Sequence, residues 1–168
     1  DWSGGGNLLL VEDEDMVRAV AERALTRAGY SVTSAADGEA GLAAVAAQPP
    51  DLLLLDRDLG GIDGLAVCRR IKQDPAYADM MVVIVSASYT ATENQAEGLE
   101  AGADGYIARP IANRELLARV SAYARIFSLN RTLRQQGAEL AQQAAAAAQA
   151  QLASLNLMED ALAAQQGV

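Results

Sequence analysis

Histidine is missing altogether from the 168 residues of this chain. Its absence removes an imidazole general base, a histidine metal ligand and a phosphohistidine from the available chemistry. Cysteine occurs once, as Cys68, so no internal disulfide can form, and the chain suits a reducing compartment. Lysine also occurs once, as Lys72, and the 13 basic residues are outnumbered by 22 acidic ones. The net charge of -9 argues against holding nucleic acid or an anionic membrane surface through bulk electrostatics. No apolar stretch nears the roughly 20 residues that a membrane span requires. Residues 1–7 lack the basic and apolar regions of a signal peptide, and their Ser3-Gly4-Gly5-Gly6 stretch reads as a flexible lead-in or vector remnant.

What the chain does have is acid at the ends of apolar runs. Leu52-Leu53-Leu54-Leu55 ends at Asp56, and the run over residues 8–11 ends at Glu12-Asp13. In a parallel sheet both ends open onto one crevice. Three carboxylates crowded there repel one another, a cost that a divalent cation with oxygen ligands would offset. A carboxylate beside such a metal can attack phosphorus and form an aspartyl phosphate. Each acid taken singly also fits a helix cap that follows a strand.

Residues 8–125 alternate short apolar runs with helical patterns, which predicts βαβ units and an open α/β sheet. Strands are expected at 8–11, 31–35, 52–55, 81–85 and 105–108. Val17, Val20, Ala21, Ala24, Leu25 and Ala28 recur at helical spacing, and Gly29 stops that helix. Asp37 caps a helix that runs to about residue 47, ahead of Pro49-Pro50. A third helix is expected over 64–73. Thr90 with Glu93, or Thr92 with Gln95, offers a capping box for the fourth, and Asn113 caps the last. Met80 and Met81 read as packing residues. The ligand crevice of such a sheet lies beyond the carboxyl ends of its strands.

These motifs resemble the receiver domain of bacterial two-component response regulators over residues 8 to about 125. Val11-Glu12-Asp13-Glu14 is similar to the acidic pair after the first strand of that family, and Pro50-Asp51 leads to the phosphoacceptor position at Asp56. The following loop, Asp56 through Gly64, has Gly60 where the family usually has proline. Ser86-Ala87 matches the hydroxyl and small residue after the fourth strand. Gly102-Ala103-Asp104-Gly105-Tyr106 and Arg109-Pro110 match the fifth-strand motif, with Arg109 in place of the usual lysine.

The resemblance implies a doubly wound five-stranded parallel sheet of flavodoxin-like order 2-1-3-4-5. It implies phosphorylation of Asp56 with Mg2+ held by Glu12, Asp13, Asp56 and the backbone carbonyl of Asp58, the Glu12 contact passing through water. Ser86 would donate a hydrogen bond to the phosphoryl group, Ala87 would leave room for it, and Arg109 would pair with it. The Arg109-Pro110 bond is expected to be cis. Arg is a planar fork where Lys is a point charge, so it either fits the phosphoryl group bidentately or misses it. Tyr106 resembles the aromatic switch that follows Ser86, and it equally fits a static half-buried strand aromatic. Asp58 and Ser88 fall at positions that tune the lifetime of the phosphorylated state. The expected donor is a histidine kinase or phosphotransfer protein, because this chain has no histidine of its own, and the expected setting is the cytoplasm.

Beyond residue 125 the composition changes. Ile126, Leu129, Leu133 and Leu140 keep heptad spacing with Gln136, an Ala/Gln-rich stretch follows, and Leu155, Met158 and Leu162 resume the pattern. Leu140 and Leu155 are 15 residues apart, one more than two heptads, so the seam must slip or change its supercoil. A helix from about 113 to 165 would extend on the order of 80 Å. Residues 126–168 are therefore expected to be a helical linker that pairs in parallel with a second copy, or else an exposed spacer. They carry no basic recognition helix, nucleotide loop or catalytic motif, which suggests a fragment of a larger regulator with no nucleic-acid or membrane partner of its own.

Two rival functions remain at this level. Asp56-Arg57-Asp58 after an apolar strand resembles the start of haloacid-dehalogenase-like phosphatases, where one Asp is the nucleophile and the next a general acid. There, however, the motif opens the fold, whereas two βα units precede it here. The other rival is a receiver-like module in which Arg109 abolishes phosphorylation and only dimerisation remains.

Overall fold

In a computed structural model of the chain, residues 6–87 and 91–167 are described, the side chains of 91–95 excepted. Apolar runs and helical patterns alternate as the sequence dictates. The elements are β1 (Asn7–Val11), α1 (Asp15–Arg27), β2 (Ser31–Ala35), α2 (Gly38–Ala47), β3 (Leu52–Asp56), α3 (Gly64–Gln73), β4 (Met81–Ser86), α4 (Ala91–Glu100), β5 (Gly105–Ala108) and α5 (Asn113–Gln166). A 3-10 turn, Pro75–Tyr77, capped by the Asp74 carboxylate, leads into β4. All five strands are parallel, in the order β2-β1-β3-β4-β5.

Side chains alternate between the two faces of each strand, so the leucine runs feed two cores. Leu9, Val11, Leu53, Leu55, Val82 and Ile84 pack with Val45 of α2 and with Leu65, Val67, Cys68 and Ile71 of α3. Leu8, Leu10, Leu52, Leu54, Val83 and Val85 pack with Leu25 of α1 and with Leu116, Val120 and Phe127 of α5. Burial on both sides accounts for the unbroken leucine and valine runs of β3 and β4. Met80 and Met81 are buried packing residues.

Caps fix where the helices begin. Asp37 Oδ1 accepts from the Ala40 N–H at 2.7 Å, and Asp63 Oδ1 accepts from the Ala66 N–H at 2.8 Å. Gly29 ends α1 at φ 101°, a left-handed conformation that favours glycine. Asn113 is the first helical residue of α5, one place later than a cap, and the Ala112 carbonyl accepts from the Leu116 N–H at 3.0 Å. The capping boxes considered for α4 lie outside the described residues.

In the first helix full burial is confined to one position. Of Val17, Val20, Ala21, Ala24, Leu25 and Ala28, only Leu25 is buried. Ala21 packs, partly exposed, against the second core between α1 and α5. A cavity of about 300 Å³ remains there, walled by Leu10, Leu54, Val85, Val17 and Leu116. Met16 and Val20 at its rim stay exposed.

The chain divides into two units, Asp1–Leu129 and Asn130–Val168. The first runs slightly past residue 125 because Phe127 is a core residue. In the second, residues 130–166 of α5 are exposed throughout, Leu133, Leu140, Leu152, Leu155, Met158 and Leu162 among them. No helix among the described residues is long and apolar enough to cross a membrane.

Gly105 opens β5 against α5, where an added Cβ would overlap the Tyr123 phenol. Gly105→Ala is expected to lower stability by about 1–3 kcal/mol through overpacking. Gly60→Ala, with no atom within 4 Å of an added Cβ and an ordinary φ, is expected to be close to neutral. Urea denaturation of the two variants measures the difference.

Candidate functional site

The carboxyl ends of β1, β3, β4 and β5 lie side by side because these strands are neighbours in a parallel sheet. Val11 pairs in register with Leu55, Asp56 with Val85, and Ser86 with Ala108. Glu12 and Asp13 follow β1 directly, Asp56 closes β3, Ser86 closes β4 and Arg109 follows β5. Four loops thus bring acids, a hydroxyl and a guanidinium together from positions up to 97 residues apart.

Glu12, Asp13 and Asp56 each offer a carboxylate oxygen within 4.8 Å of the others. Glu12 is 2% exposed and Asp56 6%, while Asp13 faces solvent. Arg109 donates from Nη2 to Glu12 Oε2 at 2.6 Å, and the same nitrogen lies 3.7 Å from Asp56 Oδ2. The Arg109-Pro110 bond is cis. Asp56 Oδ1 accepts from the Asp58 N–H at 3.0 Å, and Glu12 Oε1 accepts from the Glu14 N–H at 3.3 Å. Arg18 reaches over from α1, giving a hydrogen bond to the Glu12 carbonyl at 2.9 Å and another to the Asp15 carboxylate.

Burial pushes the Asp56 carboxyl up from its ordinary 3.8 to about 7. The Asp58 N–H works against that rise, Glu12 adds to it by hydrogen bond and by charge, and Arg109 lowers it. One guanidinium therefore falls short of neutralising three clustered carboxylates. Hard oxygen donors in such a cluster suit Mg2+, so the donor set fits a divalent cation at Glu12, Asp13 and Asp56.

Ser86 is fully buried at the end of β4. Tyr106 on β5 is half-buried, with its ring packed against the first core and beside Gly98 of α4. Its hydroxyl is buried and finds no hydrogen-bond partner among the described residues. Asp58 is exposed in the loop after β3. Ser88 lies outside the described residues.

Sequence reasoning passed over Arg57 and its partner. The Arg57 N–H continues the ladder to the Val85 carbonyl at 2.9 Å, and the Arg57 carbonyl accepts from the Gly64 N–H at 3.1 Å. An added Cβ at Gly64 would overlap the Asp56 carbonyl, so only glycine lets the loop close this tightly. The Arg57 guanidinium pairs with the Glu97 carboxylate of α4. An arginine directly after Asp56 was the available signal, but the partner lies 40 residues away.

The raised Asp56 pKa sets a pH dependence. Between about pH 4 and pH 7 the native carboxyl keeps a proton that the unfolded chain has released, so stability falls as pH rises through that window and levels off above it. Asp56→Asn removes the effect. In metal-free buffer at pH 8 the variant is expected to be more stable than the parent by on the order of a few kcal/mol, with the gap closing near pH 4. Thermal melts across pH check this, and a gap independent of pH contradicts it.

Similarity to known proteins agrees with this geometry. The model of the response regulator receiver domain family matches residues 8–121. The transcriptional regulatory protein AfsQ1 of Streptomyces coelicolor is 43% identical over 119 residues, covering 71% of this chain and 51% of its own length. The phosphate regulon transcriptional regulatory protein PhoB of Pseudomonas aeruginosa is 37% identical over 121 residues, covering 72% and 52%. Among solved structures, a response regulator from Chloroflexus aurantiacus has a TM-score of 0.66 at 36% identity, covering 70% of this chain and 96% of that one. A CheY-like receiver domain from Methanospirillum hungatei has a TM-score of 0.69 at 26% identity, covering 74% and 98%. The chain spans about half the length of the curated relatives it matches. With its five-stranded 2-1-3-4-5 sheet and its matched residues 8–121, the chain belongs to the response regulator receiver domain family.

Proposed function

We propose that this chain is a phosphoacceptor in two-component signal transduction, taking a phosphoryl group on Asp56 and coupling it to a dimerising C-terminal helix. The observation that carries the reading is the convergence of the Glu12, Asp13 and Asp56 carboxylates within 4.8 Å, with Arg109 in reach of both buried acids. The Asp58 N–H holds Asp56 Oδ1, and Oδ2, 3.7 Å from Arg109 Nη2, is the nucleophile. Oδ2 attacks the phosphorus of the donor, a phosphohistidine or an acyl phosphate, and the bond from phosphorus to the donor breaks with its electron pair leaving on the donor atom.

Asp13, Asp56 and the Asp58 carbonyl, with Glu12 through a water, would hold Mg2+, which when bound would supply positive charge to offset the phosphoryl oxygens. Ser86 donates a hydrogen bond to one phosphoryl oxygen, and Arg109 pairs with another once it is drawn from Glu12. Tyr106, whose hydroxyl has no partner to lose among the described residues, is the ring that follows Ser86. The phosphoryl donor is a histidine kinase or phosphotransfer protein, and the setting is cytoplasmic. The role is stoichiometric acceptance and not turnover, and the chain is a fragment of a larger regulator whose output lies outside it. Its relatives are named as transcriptional regulators, while this chain itself, at net charge -9, is assigned no nucleic-acid contact.

A second reading draws on the Arg109–Glu12 pair at 2.6 Å, which already fills part of the crevice with positive charge. In that reading phosphorylation is lost and dimerisation remains. Incubation with acetyl phosphate and Mg2+ followed by intact mass separates the two. One phosphoryl adduct is expected, absent without Mg2+ and absent from Asp56→Asn. No adduct at saturating donor favours the second reading, and turnover of a generic phosphate ester favours a phosphatase.

The helix stripe gives an independent expectation. Leu133, Leu140, Leu155 and Leu162 lie exposed on the second unit, and a parallel partner helix would bury them. Sedimentation of the whole chain is expected to show a dimer at micromolar concentration, and Leu133→Asp is expected to weaken it about tenfold or more. Truncation belongs after Leu129 and not after Arg125, since Phe127 is part of the core. A monomer at high micromolar concentration removes the dimer from the proposal.

A further inference from the structure

The apolar residues of the second unit do not follow one heptad frame along the continuous helix α5. Steps of seven from Leu133 and Leu140 run on to Ala147, Ser154 and Ala161, and steps of seven from Gln136 run to Gln143, Ala150 and Leu157. That frame misses Leu155, Met158 and Leu162, all of them exposed. Steps of 11 collect them. Leu133, Ala144 and Leu155 make one column, Gln136, Ala147 and Met158 a second, and Leu140, Gln151 and Leu162 a third. An 11-residue repeat, at about 3.67 residues per turn, keeps one helix face in line and winds a helix pair right-handed, opposite to a heptad seam. The charged residues of this stretch, Arg134, Glu139, Glu159 and Asp160, stand off the three columns, as do Leu152 and Leu157.

We propose that residues 133–162 carry an 11-residue-repeat seam that pairs with the same seam of a second copy, parallel and in register, with Gln136 and Gln151 as the polar layers that set the register. The proposal rests on the dimerising-helix reading above and adds to it which face pairs, how the pair winds and what fixes its orientation. The two glutamines decide between arrangements. In register, Gln136 meets Gln136 and Gln151 meets Gln151, and each amide N–H has an amide oxygen of the other copy as acceptor. An antiparallel pair that keeps seam against seam sets Gln136 against Leu155 and Gln151 against Leu140, which buries both amides without partners. An antiparallel pair that matches Gln136 with Gln151 instead sets Leu133 against Ser154 and Leu155 against Thr132, so the apolar columns part. Of these three arrangements only the parallel one in register satisfies the amides and buries the leucines together. A polar layer inside an apolar seam costs stability and fixes register, the trade made in other paired helices. With the charged residues off the columns, no like charges meet inside the seam when two copies lie in register.

Cysteine cross-linking of the whole chain tests this, with the buried Cys68 left in place. All the substituted positions are exposed helix residues, so the variants fold. Gln151→Cys, Leu155→Cys, Met158→Cys and Leu162→Cys are each expected to form a disulfide-linked dimer several-fold faster than Ala150→Cys, Leu157→Cys and Ala161→Cys. The reverse order shows an unbroken heptad frame and overturns the seam while leaving the dimer standing. Orientation is read by mixing Leu133→Cys chains with Met158→Cys chains. No disulfide between the two is expected, and its appearance shows an antiparallel pair and overturns the proposal. When Gln136→Leu and Gln151→Leu are added to both chains, the dimer is expected to tighten about tenfold or more and the mixed disulfide to appear, because the register is no longer fixed. Tightening without the mixed disulfide overturns the role given to the glutamines. If the parent chain sediments as a monomer at high micromolar concentration, the dimer reading fails and this proposal with it.

Discussion

The structure depends on keeping a carboxylate where carboxylates are least welcome. Asp56 sits at the end of a strand buried on both faces, beside the buried Glu12 and within reach of Asp13. Desolvation and like charge both penalise its ionised form, which is why its pKa stands near 7. The surroundings answer with an N–H from Asp58 and a guanidinium from Arg109, and these do not suffice. What remains is an unmet demand for positive charge at one point on the surface. Under the proposed function a divalent cation would supply it, at a site that gives up stability at neutral pH.

The rest of the first unit is scaffold for that point. Two cores on opposite faces of a parallel sheet hold β1, β3, β4 and β5 in fixed register, so their carboxyl ends meet without any one loop having to be long. The tight closure at Gly64 keeps the loop after β3 against the sheet. Under the proposed function Ser86 with Tyr106, whose buried hydroxyl lacks a partner among the described residues, would carry coupling outward, and the Arg57–Glu97 pair ties the loop after β3 to α4. The second unit presents exposed leucines, Leu133, Leu140, Leu155 and Leu162 among them.

Strand and helix order were legible in the sequence because each strand is a short apolar run bounded by glycine, proline or acid. Asp37 was legible as a cap because capping is local, and Asn113 fell one residue off because helix ends turn on backbone geometry that composition does not encode. Helical spacing placed α1 and says which of its residues share a face, but not how far each is buried: Leu25 is fully buried, Ala21 packs against the second core while partly exposed, and Met16 and Val20 stay exposed. Glu12, Asp13, Asp56 and Arg109 were singled out through the motifs that carry them, and their side chains lie together at the strand ends, while Ser86 is buried at the end of β4. Arg57 with Glu97, and Arg18 over Glu12, were not legible, because such pairings are set by tertiary placement and no local pattern announces them.

The central claim is that Asp56 itself becomes an acyl phosphate. The most direct test is borohydride trapping, which reduces an acyl phosphate to the alcohol and so converts the modified aspartate to homoserine. The chain would be incubated with acetyl phosphate and Mg2+, reduced, digested and sequenced by tandem mass spectrometry. The account predicts homoserine at position 56 and at no other acid of the crevice. Homoserine at position 13 or 58, or aspartate recovered intact at 56, would contradict it.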